Sequence, residues 1–409
     1  MAAVCRFCGA PLTVTFCDLG RMPLSNAFVK PADAAFDEAH YPLHAWVCGA
    51  CMLVQLEAFE SPQRIFSDYV YFSSYADTWL EHCQAYAARM TSECALGPDS
   101  LVIEVASNDG YLLQYFRALA VPVLGIEPAA NVAAAATAKG IPTVTEFFGT
   151  PTARRLVAEG RRADLIVANN VLAHVPDLND FTAGFAPLLK PAGVLTLEFP
   201  HLLRLIEGNQ FDTLYHEHFS YFSFHTACRV LARHGLKVHD VDELPTHGGS
   251  LRVHAVRADA GRPAGPRVAA ILAAEVRAGL EELGTYPAFQ AQARRTAQSL
   301  LAFLRTARQE SKRVAGYGAP AKGNTLLNFC GIGSDLLEYT VDRSPHKQGL
   351  LLPGSRIPVY APAHLFETRP DYVLILPWNL TSEVTAQMAG IRDWGGRFVV
   401  PIPRLEVLA

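Results

Sequence analysis

The 409-residue sequence lacks several features that would assign it to a special class of protein. No run of about eighteen uninterrupted apolar residues is present, which argues against a membrane-spanning helix. The first residues, MAAVCRFCGA, lack the charged start and apolar stretch of a secretory signal. There is no acidic or basic tail, no fixed-period repeat and no low-complexity tract, and the formal net charge is -4. We therefore expect a cytoplasmic globular protein whose main partner is neither a nucleic acid nor a membrane.

Three blocks with different patterns follow one another along the chain. Residues 1–72 are rich in cysteine and turn-forming residues and have no long helical period, as in a small module held together by a metal. Residues 73–258 alternate helical stretches with apolar strands such as LVIEVA and ADLIVANNVL, which predicts a mostly parallel sheet covered by helices. Residues 259–409 begin with a helical bridge and continue as a smaller α/β unit. The predicted fold class is therefore α/β.

Two C-x-x-C pairs in the first block predict a metal site. Cys5 and Cys8 form one pair, and Cys48 and Cys51 form the other. Four thiolates suit a tetrahedral zinc ion with no open coordination position, so the zinc is expected to be structural. The Gly-Pro composition of CRFCGAP is typical of a zinc knuckle and not of a redox-active C-x-x-C, which begins a helix.

The central block carries polar residues at the ends of its predicted strands. In an open parallel sheet, ligands bind at this edge. One predicted strand ends at Glu104, and the next ends at Glu127, where an acidic side chain can accept hydrogen bonds from both ribose hydroxyls. The first turn lacks the G-x-G-x-x-G fingerprint of dinucleotide folds, because Ala106 and Asn108 replace the first two glycines. The predicted cofactor-binding residues are Glu104, Ala106, Ser107, Asn108, Asp109, Gly110, Glu127, Pro128, Phe147, Phe148, Asn169, Asn170 and Val171. The two phenylalanines offer apolar surface to an adenine ring.

The order of these motifs resembles the S-adenosylmethionine-dependent class I methyltransferases over residues 75–255. Together with the zinc knuckles, EFPH, YHEHFSYFS, HGGSLRV and GYGAPAKGNTLLN, essentially the full chain resembles the sugar-nucleotide C-methyltransferases that make branched deoxysugars. The resemblance implies a class I methyltransferase Rossmann-like sheet between an N-terminal zinc-binding module and a C-terminal Rossmann-like α/β domain. It also implies methyl transfer from S-adenosylmethionine to carbon 3 of a 4-keto-6-deoxysugar on a nucleoside diphosphate, commonly that of thymidine.

The segment YHEHFSYFSFHT is the candidate catalytic site. By resemblance, His218 is the base that removes the proton beside the 4-keto group, with Tyr215 and Glu217 orienting it or contacting the sugar. His174 is a second candidate acid/base, or alternatively a helix-start histidine bound to backbone. On residues alone, His216 and His218 also fit an H-x-H metal site, and the whole segment fits an aromatic core cluster. An extended segment would separate Tyr215 from His218, whereas a helix would bring them together.

Predicted substrate-binding residues come from all three blocks. They are Tyr69, Tyr71, His201, Tyr221, His247, Ser250, Arg252, Lys322, Asn324 and Asp342. In the C-terminal block, a glycine turn before a helix is an anion site, to which Lys322 adds a charge for a diphosphate. Asp342 follows the next strand and suits a ribose or sugar hydroxyl.

Other interpretations of the chain stay open at this level. The C-terminal block is alternatively a Rossmann-like unit without a ligand. The whole chain is alternatively an NAD(P)-dependent sugar-nucleotide oxidoreductase, or a non-catalytic zinc protein that binds a nucleotide. The sequence does not distinguish a hydroxyl from an amine at carbon 3, or a thymidine from a guanosine carrier. Because three modules on one chain can enclose a complete cleft, we expect a monomer that acts on a nucleotide sugar.

Overall fold

A computed structural model describes residues 3–60, 74 and 77–408, and its strands form three sheets. The first sheet consists of β1 (Val14–Met22), β2 (Tyr41–Val47), β3 (Val54–Leu56) and β9 (Ser220–Tyr221). The strands are antiparallel, in the order β1-β2-β3-β9. The last strand comes from the central block, directly after YHEH, and aligns Val54 with Tyr221. The zinc module and the candidate catalytic segment therefore share a sheet.

The second sheet has seven strands and forms the central domain. They are β4 (Val102–Val105), β5 (Val123–Ile126), β6 (Thr143–Val144), β7 (Ala163–Asn169), β8 (Leu189–Pro200), β10 (Leu236–Leu244) and β11 (Ser250–Arg257). Their order is β10-β11-β8-β7-β4-β5-β6, and all neighbouring pairs from β8 to β6 are parallel. Strand β11 is antiparallel to both neighbours. This is the class I methyltransferase sheet expected from the sequence, with its ligand-binding edge at the carboxyl ends of β4, β5 and β7.

The third sheet has six strands and forms the C-terminal domain. They are β12 (Val314–Tyr317), β13 (Thr340–Val341), β14 (Val359–Tyr360), β15 (Tyr372–Ile375), β16 (Arg397–Val400) and β17 (Glu406–Val407). The order is β14-β13-β12-β15-β16-β17, parallel except for the last strand. The parallel strands and their crossover helices make the Rossmann-like unit that the sequence predicts.

Helices connect the strands and bridge the domains. In the central domain they are α1 (Asp77–Glu93), α2 (Leu113–Ala118), α3 (Ala130–Ala138), α4 (Thr150–Ala158), α5 (Leu178–Ala183), α6 (Phe185–Leu188), α7 (Leu202–Glu207) and α8 (Phe224–Arg233). Further along lie α9 (Pro266–Arg277), α10 (Ala288–Gln309), α11 (Ala321–Cys330), α12 (His364–Thr368) and α13 (Thr381–Gln387). Short 3-10 turns include Leu172–His174, Phe211–Thr213, Thr246–Gly248 and Trp378–Leu380. Among the described helices, none is long and apolar enough to cross a membrane.

One hydrophobic core runs through all three blocks. Phe16 of the zinc module stacks on Phe289 of α10 with ring centroids 4.7 Å apart. The same buried cluster contains Leu214, just before YHEH, as well as Leu326 of α11 and Val399 of β16. Because burial of apolar surface is the main favourable term in folding, the three blocks stabilise one another.

Candidate active site

The four cysteines of the zinc module come together as the sequence predicts. Cys5 and Cys51 sulfurs are 3.6 Å apart, Cys8 and Cys48 sulfurs are 3.5 Å apart, and all four lie within 4.8 Å of one another. A tetrahedron with Zn–S bonds of about 2.3 Å separates its sulfurs by about 3.8 Å, so the cluster fits zinc. The amide of Gln55 donates to Cys5 Sγ at 3.2 Å, a contact that supports a thiolate ligand.

Glycine-like backbone marks the predicted cofactor edge. Ala106 and Asn108, after β4, have φ of 58° and 48°, and Asn170, after β7, has φ of 52°. Left-handed backbone is uncommon for residues other than glycine and is concentrated at functional sites. The two positions where the dinucleotide glycines are missing therefore adopt the conformation that glycine would provide, and Gly110 continues the turn with φ of 78°.

Buried polar atoms at this edge fit a polar ligand. Among the described residues, Ser107 Oγ, Asn169 Oδ1 and Asn170 Oδ1 are buried without a hydrogen-bond partner. Such groups normally have one, so a group of them at a ligand-binding edge is explained by a ligand that supplies the partners.

The two strand-end carboxylates fit a cofactor that carries a ribose and a cation. Glu127 is 5 % exposed, and its oxygens accept the backbone N–H groups of Asn108 and Ala129 at 2.9 Å each. Each oxygen has a further lone pair for a ribose hydroxyl. Burial raises the pKa of Glu127, with those N–H groups opposing the change, and burial raises the pKa of Glu104 well above its usual value. A neighbouring cation, such as a sulfonium, would favour the ionised forms.

The other predicted cofactor residues have mixed surroundings. Phe148 packs against Phe181 and Phe185, with ring centroids 5.4 and 5.0 Å away, whereas Phe147 is 41 % exposed. Of the two, Phe147 therefore has the freer ring for an adenine. Asp109 is buried and accepts from Lys139 Nζ at 2.9 Å. The remaining two, Pro128 and Val171, are half-buried.

The Tyr215–His218 segment forms a tight turn that is neither extended nor helical. The His218 N–H donates to the Tyr215 carbonyl at 2.9 Å, and the Tyr215 hydroxyl lies 2.7 Å from His218 Nε2. The imidazole also hydrogen-bonds the Thr213 carbonyl. Because a carbonyl only accepts, a proton on Nδ1 facing Thr213 would leave the Nε2 lone pair to accept from the Tyr215 hydroxyl, and we assign this tautomer. His218 therefore presents a basic nitrogen beside the tyrosine hydroxyl.

His174 and the turn are held next to the cofactor edge. Phe219 N–H donates to the Ala173 carbonyl at 2.7 Å, and His174 Nδ1 lies 2.9 Å from the Glu217 carbonyl. The His174 and His218 rings meet edge-on at 4.7 Å. Burial lowers the pKa of His174 to about 4 and that of His218 well below its usual value, so both rings are neutral near pH 7. A neutral imidazole is the form required of a base.

The zinc module supports the turn from the other side. Glu217 is 5 % exposed and accepts the Asn26 side-chain N–H at 2.7 Å; burial raises its pKa to about 7, with Asn26 opposing. His216 Nε2 lies 3.2 Å from the Pro42 carbonyl, so it is directed away from His218. The cysteine cluster is the one group among the described residues that could hold a metal ion, which leaves the H-x-H metal hypothesis without support.

The C-terminal domain contacts the segment before the Tyr215–His218 turn through α11. Thr325 Oγ1 donates to the Leu214 carbonyl at 3.0 Å, immediately before the turn. One helical turn earlier, Lys322 Nζ lies 4.3 Å from the centre of the Trp378 ring and hydrogen-bonds the Asn379 side-chain oxygen. The predicted site residue Lys322 therefore lies on the helix that contacts the segment before the turn.

Several predicted substrate residues are engaged elsewhere. His201 is 1 % exposed, with Nε2 2.6 Å from a Glu275 oxygen. Arg252 is 3 % exposed and pairs with the fully buried Glu198. Ser250 Oγ donates to the Thr246 carbonyl at 2.9 Å. The Glu275, Glu198 and Thr246 contacts hold these three side chains within the protein, so we leave them out of the substrate site, although His201 Nδ1 and Arg252 Nε have no hydrogen-bond partner among the described residues.

Two further predicted substrate residues are also engaged within the protein, whereas another remains exposed. Tyr221 is 6 % exposed, and its hydroxyl donates to the Thr213 carbonyl at 3.4 Å. Asn324 donates to the Ser25 carbonyl at 2.6 Å. His247 is exposed, with φ of 54°. Tyr69 and Tyr71 lie outside the described residues.

Two predicted dinucleotide-binding features of the C-terminal domain are engaged by the domain's own residues. Asp342 accepts the backbone N–H groups of Ala319 and Ser344 at 2.7 and 2.8 Å. A Cβ on Gly318 would lie 2.5 Å from Pro377, so this glycine permits close packing of the protein chain. Neither feature favours a nicotinamide dinucleotide here.

Sequence reasoning missed Asn26, Asp212 and Trp378. The Trp378 indole donates to Asp212 Oδ2 at 2.7 Å, and Asp212 is fully buried just before the turn. The position of Asp212 three residues before YHEH is a signal that could have been used. No local pattern connects Asn26 or Trp378 with the site.

Three protein-family models match the chain. A model described as a zinc binding domain matches residues 5–66, a methyltransferase domain matches 79–241, and a C-methyltransferase C-terminal domain matches 245–403. The C-methyltransferase NovU of Streptomyces niveus is 36% identical over 405 residues, which cover 99% of this chain and 96% of that protein.

Solved structures also align with part of the chain. Magnesium protoporphyrin IX methyltransferase from Synechocystis with bound SAH is 17% identical. The alignment covers 44% of this chain and 83% of that protein, with a TM-score of 0.34. The CcbJ methyltransferase from Streptomyces caelestis is 13% identical and covers 43% and 89%, also with a TM-score of 0.34. At such scores the structural alignments add nothing to the argument.

Proposed function

This chain belongs to the S-adenosylmethionine-dependent C-methyltransferases, and we propose that it methylates carbon 3 of a nucleoside-diphosphate 4-keto-6-deoxysugar, most suitably on a thymidine carrier. The observation that carries the proposal is the Tyr215–His218 turn, where a neutral histidine with a basic nitrogen lies directly beyond the cofactor edge. Methyl transfer to carbon requires a carbon nucleophile. A carbon next to a ketone becomes one when it loses a proton, which matches a site built around a histidine base.

His218 has to overcome a large difference in acidity. The pKa of the proton beside a ketone is many units higher than that of imidazolium, and each unit corresponds to about 1.4 kcal/mol. His218 takes this proton on Nε2 while the electron pair moves to the ketone oxygen. Donors directed at that oxygen lower the cost of the resulting enolate. The Tyr215 hydroxyl, which contacts Nε2, orients the ring. It moves away from Nε2 when the C–H bond of the sugar approaches that nitrogen.

The chain holds the cofactor and the acceptor carbon through one short segment. S-adenosylmethionine supplies an electrophilic methyl group on a sulfonium. The residues that would bind it lie around Glu104, Glu127 and Asn169 at the strand ends. Residues 170–174 connect that edge to the turn, and fixed positioning of two reactants contributes much of the rate enhancement of a transfer reaction.

The acceptor is proposed to occupy the cleft between the turn and α11. His174, Glu217 and His247 face the sugar in this arrangement, and the carrier nucleotide extends towards the C-terminal domain. Glu217, with a pKa raised by burial to about 7, can donate as well as accept at neutral pH. The zinc contributes by folding the module that supplies Asn26, and takes no part in the reaction.

The test is mass spectrometry of nucleotide sugars after incubation with S-adenosylmethionine and a panel of 4-keto-6-deoxysugar nucleotides. We expect one added methyl group on carbon 3, and loss of turnover by about 100-fold or more in His218→Asn. His364→Asn, a histidine on α12 paired with Glu367, is the matched control and should keep the wild-type rate. A His218→Asn variant with the full rate would contradict the proposed base.

Cofactor choice is tested by thermal denaturation. A ligand that binds only the folded protein raises its free energy of unfolding by RT ln(1 + [L]/Kd). S-adenosylhomocysteine should raise the melting temperature of both wild type and His218→Asn, whereas NADH should not. A shift with NADH alone would restore the oxidoreductase hypothesis.

A further inference from the structure

We propose that the Lys322 ammonium holds the negative charge that develops on the C4 oxygen of the sugar when His218 removes the C3 proton. The inference rests on the proposed function. It gives Lys322 a catalytic role in place of the diphosphate contact that the sequence suggests. A residue of the C-terminal domain thereby completes the reaction centre.

A continuous set of contacts joins Lys322 to the base. Thr325, on the same helical face three residues later, anchors α11 to Leu214. The Lys322 side chain lies over the Trp378 ring, and the Trp378 indole donates to Asp212. The next residue, Thr213, provides the carbonyl that orients His218. Lys322 and the base are therefore positioned by one packed unit.

The Lys322 ammonium has donors available for a substrate. An ammonium has three N–H donors, and the described partner of Nζ is the Asn379 oxygen. Within the described part of the chain no carboxylate lies within ion-pair distance of Nζ. The charge of Asp212 still acts on Lys322; its Oδ2 accepts the indole N–H, and its Oδ1 has no hydrogen-bond partner among the described residues. The aromatic face of Trp378 stabilises the cation without occupying a donor.

The positive charge of Lys322 acts on the base. Burial is the main cause of the lowered pKa of His218, and the Lys322 charge adds to that lowering. Burial lowers the pKa of Lys322 to about 8, with Asp212 opposing, so the amine still carries its proton near pH 7. A desolvated cation interacts more strongly with a nearby oxyanion than one in water does.

The geometry of the sugar favours the C4 oxygen over the diphosphate. His218 must reach C3, and C4 is bonded to C3. The diphosphate is attached at C1, at the opposite end of the pyranose ring from C4. A cation beside the base is therefore placed for the ketone oxygen.

Proton removal and methyl transfer each move one set of electron pairs. The C3 proton goes to His218 Nε2, the C–H electron pair forms a C3–C4 double bond, and the carbonyl π pair moves to the C4 oxygen, which accepts from Lys322 Nζ. When the methyl group is transferred from the sulfonium, the carbonyl reforms, the C3–CH3 bond forms and S-adenosylhomocysteine leaves. Lys322 keeps its proton throughout.

Exchange of the C3 proton with deuterated water separates enolate formation from methyl transfer. The measurement uses the full-length protein, S-adenosylhomocysteine and a 4-keto-6-deoxysugar nucleotide, with exchange followed by proton NMR. Lys322→Met should slow exchange and lower kcat by about 100- to 1,000-fold, with KM changed by less than about threefold. Lys322→Arg should recover part of the loss. Lys312→Met, which removes an exposed amine paired with Asp371 on the same domain, should exchange at the wild-type rate.

Each other result has a distinct meaning. Exchange at the wild-type rate in Lys322→Met overturns the inference. A KM raised by more than about tenfold with kcat unchanged also overturns it, and assigns Lys322 to the diphosphate. Wild-type protein that exchanges no C3 proton in any sugar of the panel overturns the proposed function and this role with it. A melting-temperature increase with S-adenosylhomocysteine in Lys322→Met shows that the variant is folded.

Discussion

An ionised Glu217 should lower the free energy of unfolding at neutral pH. Replacing Glu217 by glutamine should restore that free energy. The carboxyl is 5 % exposed, and burial raises its pKa from 4.5 to about 7, with the Asn26 N–H opposing. A folded-state pKa above the unfolded value means that the folded chain binds the proton more tightly. Its contribution to stability is therefore fully present below pH 4.5 and is lost as pH rises through about 7. Glutamine carries no charge at either pH, and its oxygen still accepts from Asn26.

The magnitude follows from the two pKa values. They differ by about 2.5 pH units (7 minus 4.5), and each unit corresponds to about 1.4 kcal/mol. At pH 8 we expect Glu217→Gln to be more stable than the wild type by about 3 kcal/mol. At pH 5 the folded carboxyl is protonated, and the expected advantage is about 1 kcal/mol. Packing changes common to both pH values cancel in this comparison.

Urea denaturation at pH 5 and pH 8, followed by tryptophan fluorescence, measures both differences. The three blocks share a buried cluster, and coincidence of the fluorescence and circular-dichroism transitions is the condition for reading one free energy of unfolding. Glu310→Gln, an exposed carboxylate just after α10, is the control, and its effect should stay within about 0.5 kcal/mol at both pH values. An advantage of Glu217→Gln that does not grow from pH 5 to pH 8 would refute the argument, since the carboxyl would then ionise equally in the folded and unfolded chains.

Three further predictions concern the cofactor, the zinc and the core. Glu127→Ala should weaken S-adenosylhomocysteine binding by about 10- to 100-fold in calorimetry; unchanged affinity would remove Glu127 from the site. Cys48→Ser should reduce bound zinc in elemental analysis and lower turnover by unfolding the module, and a variant with full zinc content would contradict the four-sulfur site. Glu275→Ala leaves His201 and two backbone N–H groups of α8 without their acceptor. It should lower the free energy of unfolding by about 3 to 5 kcal/mol in urea; a loss below about 1 kcal/mol would contradict this.

Local patterns were sufficient to predict the elements that carry the site. The helical stretch DTWLEHCQAYAARMTSE coincides with Asp77–Glu93, and the strand within ADLIVANNVL with Ala163–Asn169. Both succeed because apolar periodicity is a property of neighbouring residues. The cysteine spacing likewise predicts a four-sulfur cluster, because each C-x-x-C knuckle brings two thiols together by itself.

Tertiary contacts explain where the sequence was insufficient. Neither an extended segment nor a helix describes Tyr215–His218, because Asn26 and Ala173, which are distant along the chain, bind the turn and the residue after it. His201 and Arg252 have the polar character of site residues, yet buried carboxylates on distant elements occupy them. The partner of Glu217 lies in the zinc module, far away along the chain.

The pairing of β3 with β9 has a consequence for biosynthesis. The zinc module leaves the ribosome before the central domain, but the strand that covers the edge of Val54–Leu56 is Ser220–Tyr221, which emerges only after most of the methyltransferase sheet. Until then β3 is an open edge, the kind of surface that pairs with other chains and promotes aggregation. The nascent chain therefore has an interval in which early zinc loading and chaperone protection matter. That interval ends when the strand following the catalytic turn joins the first sheet.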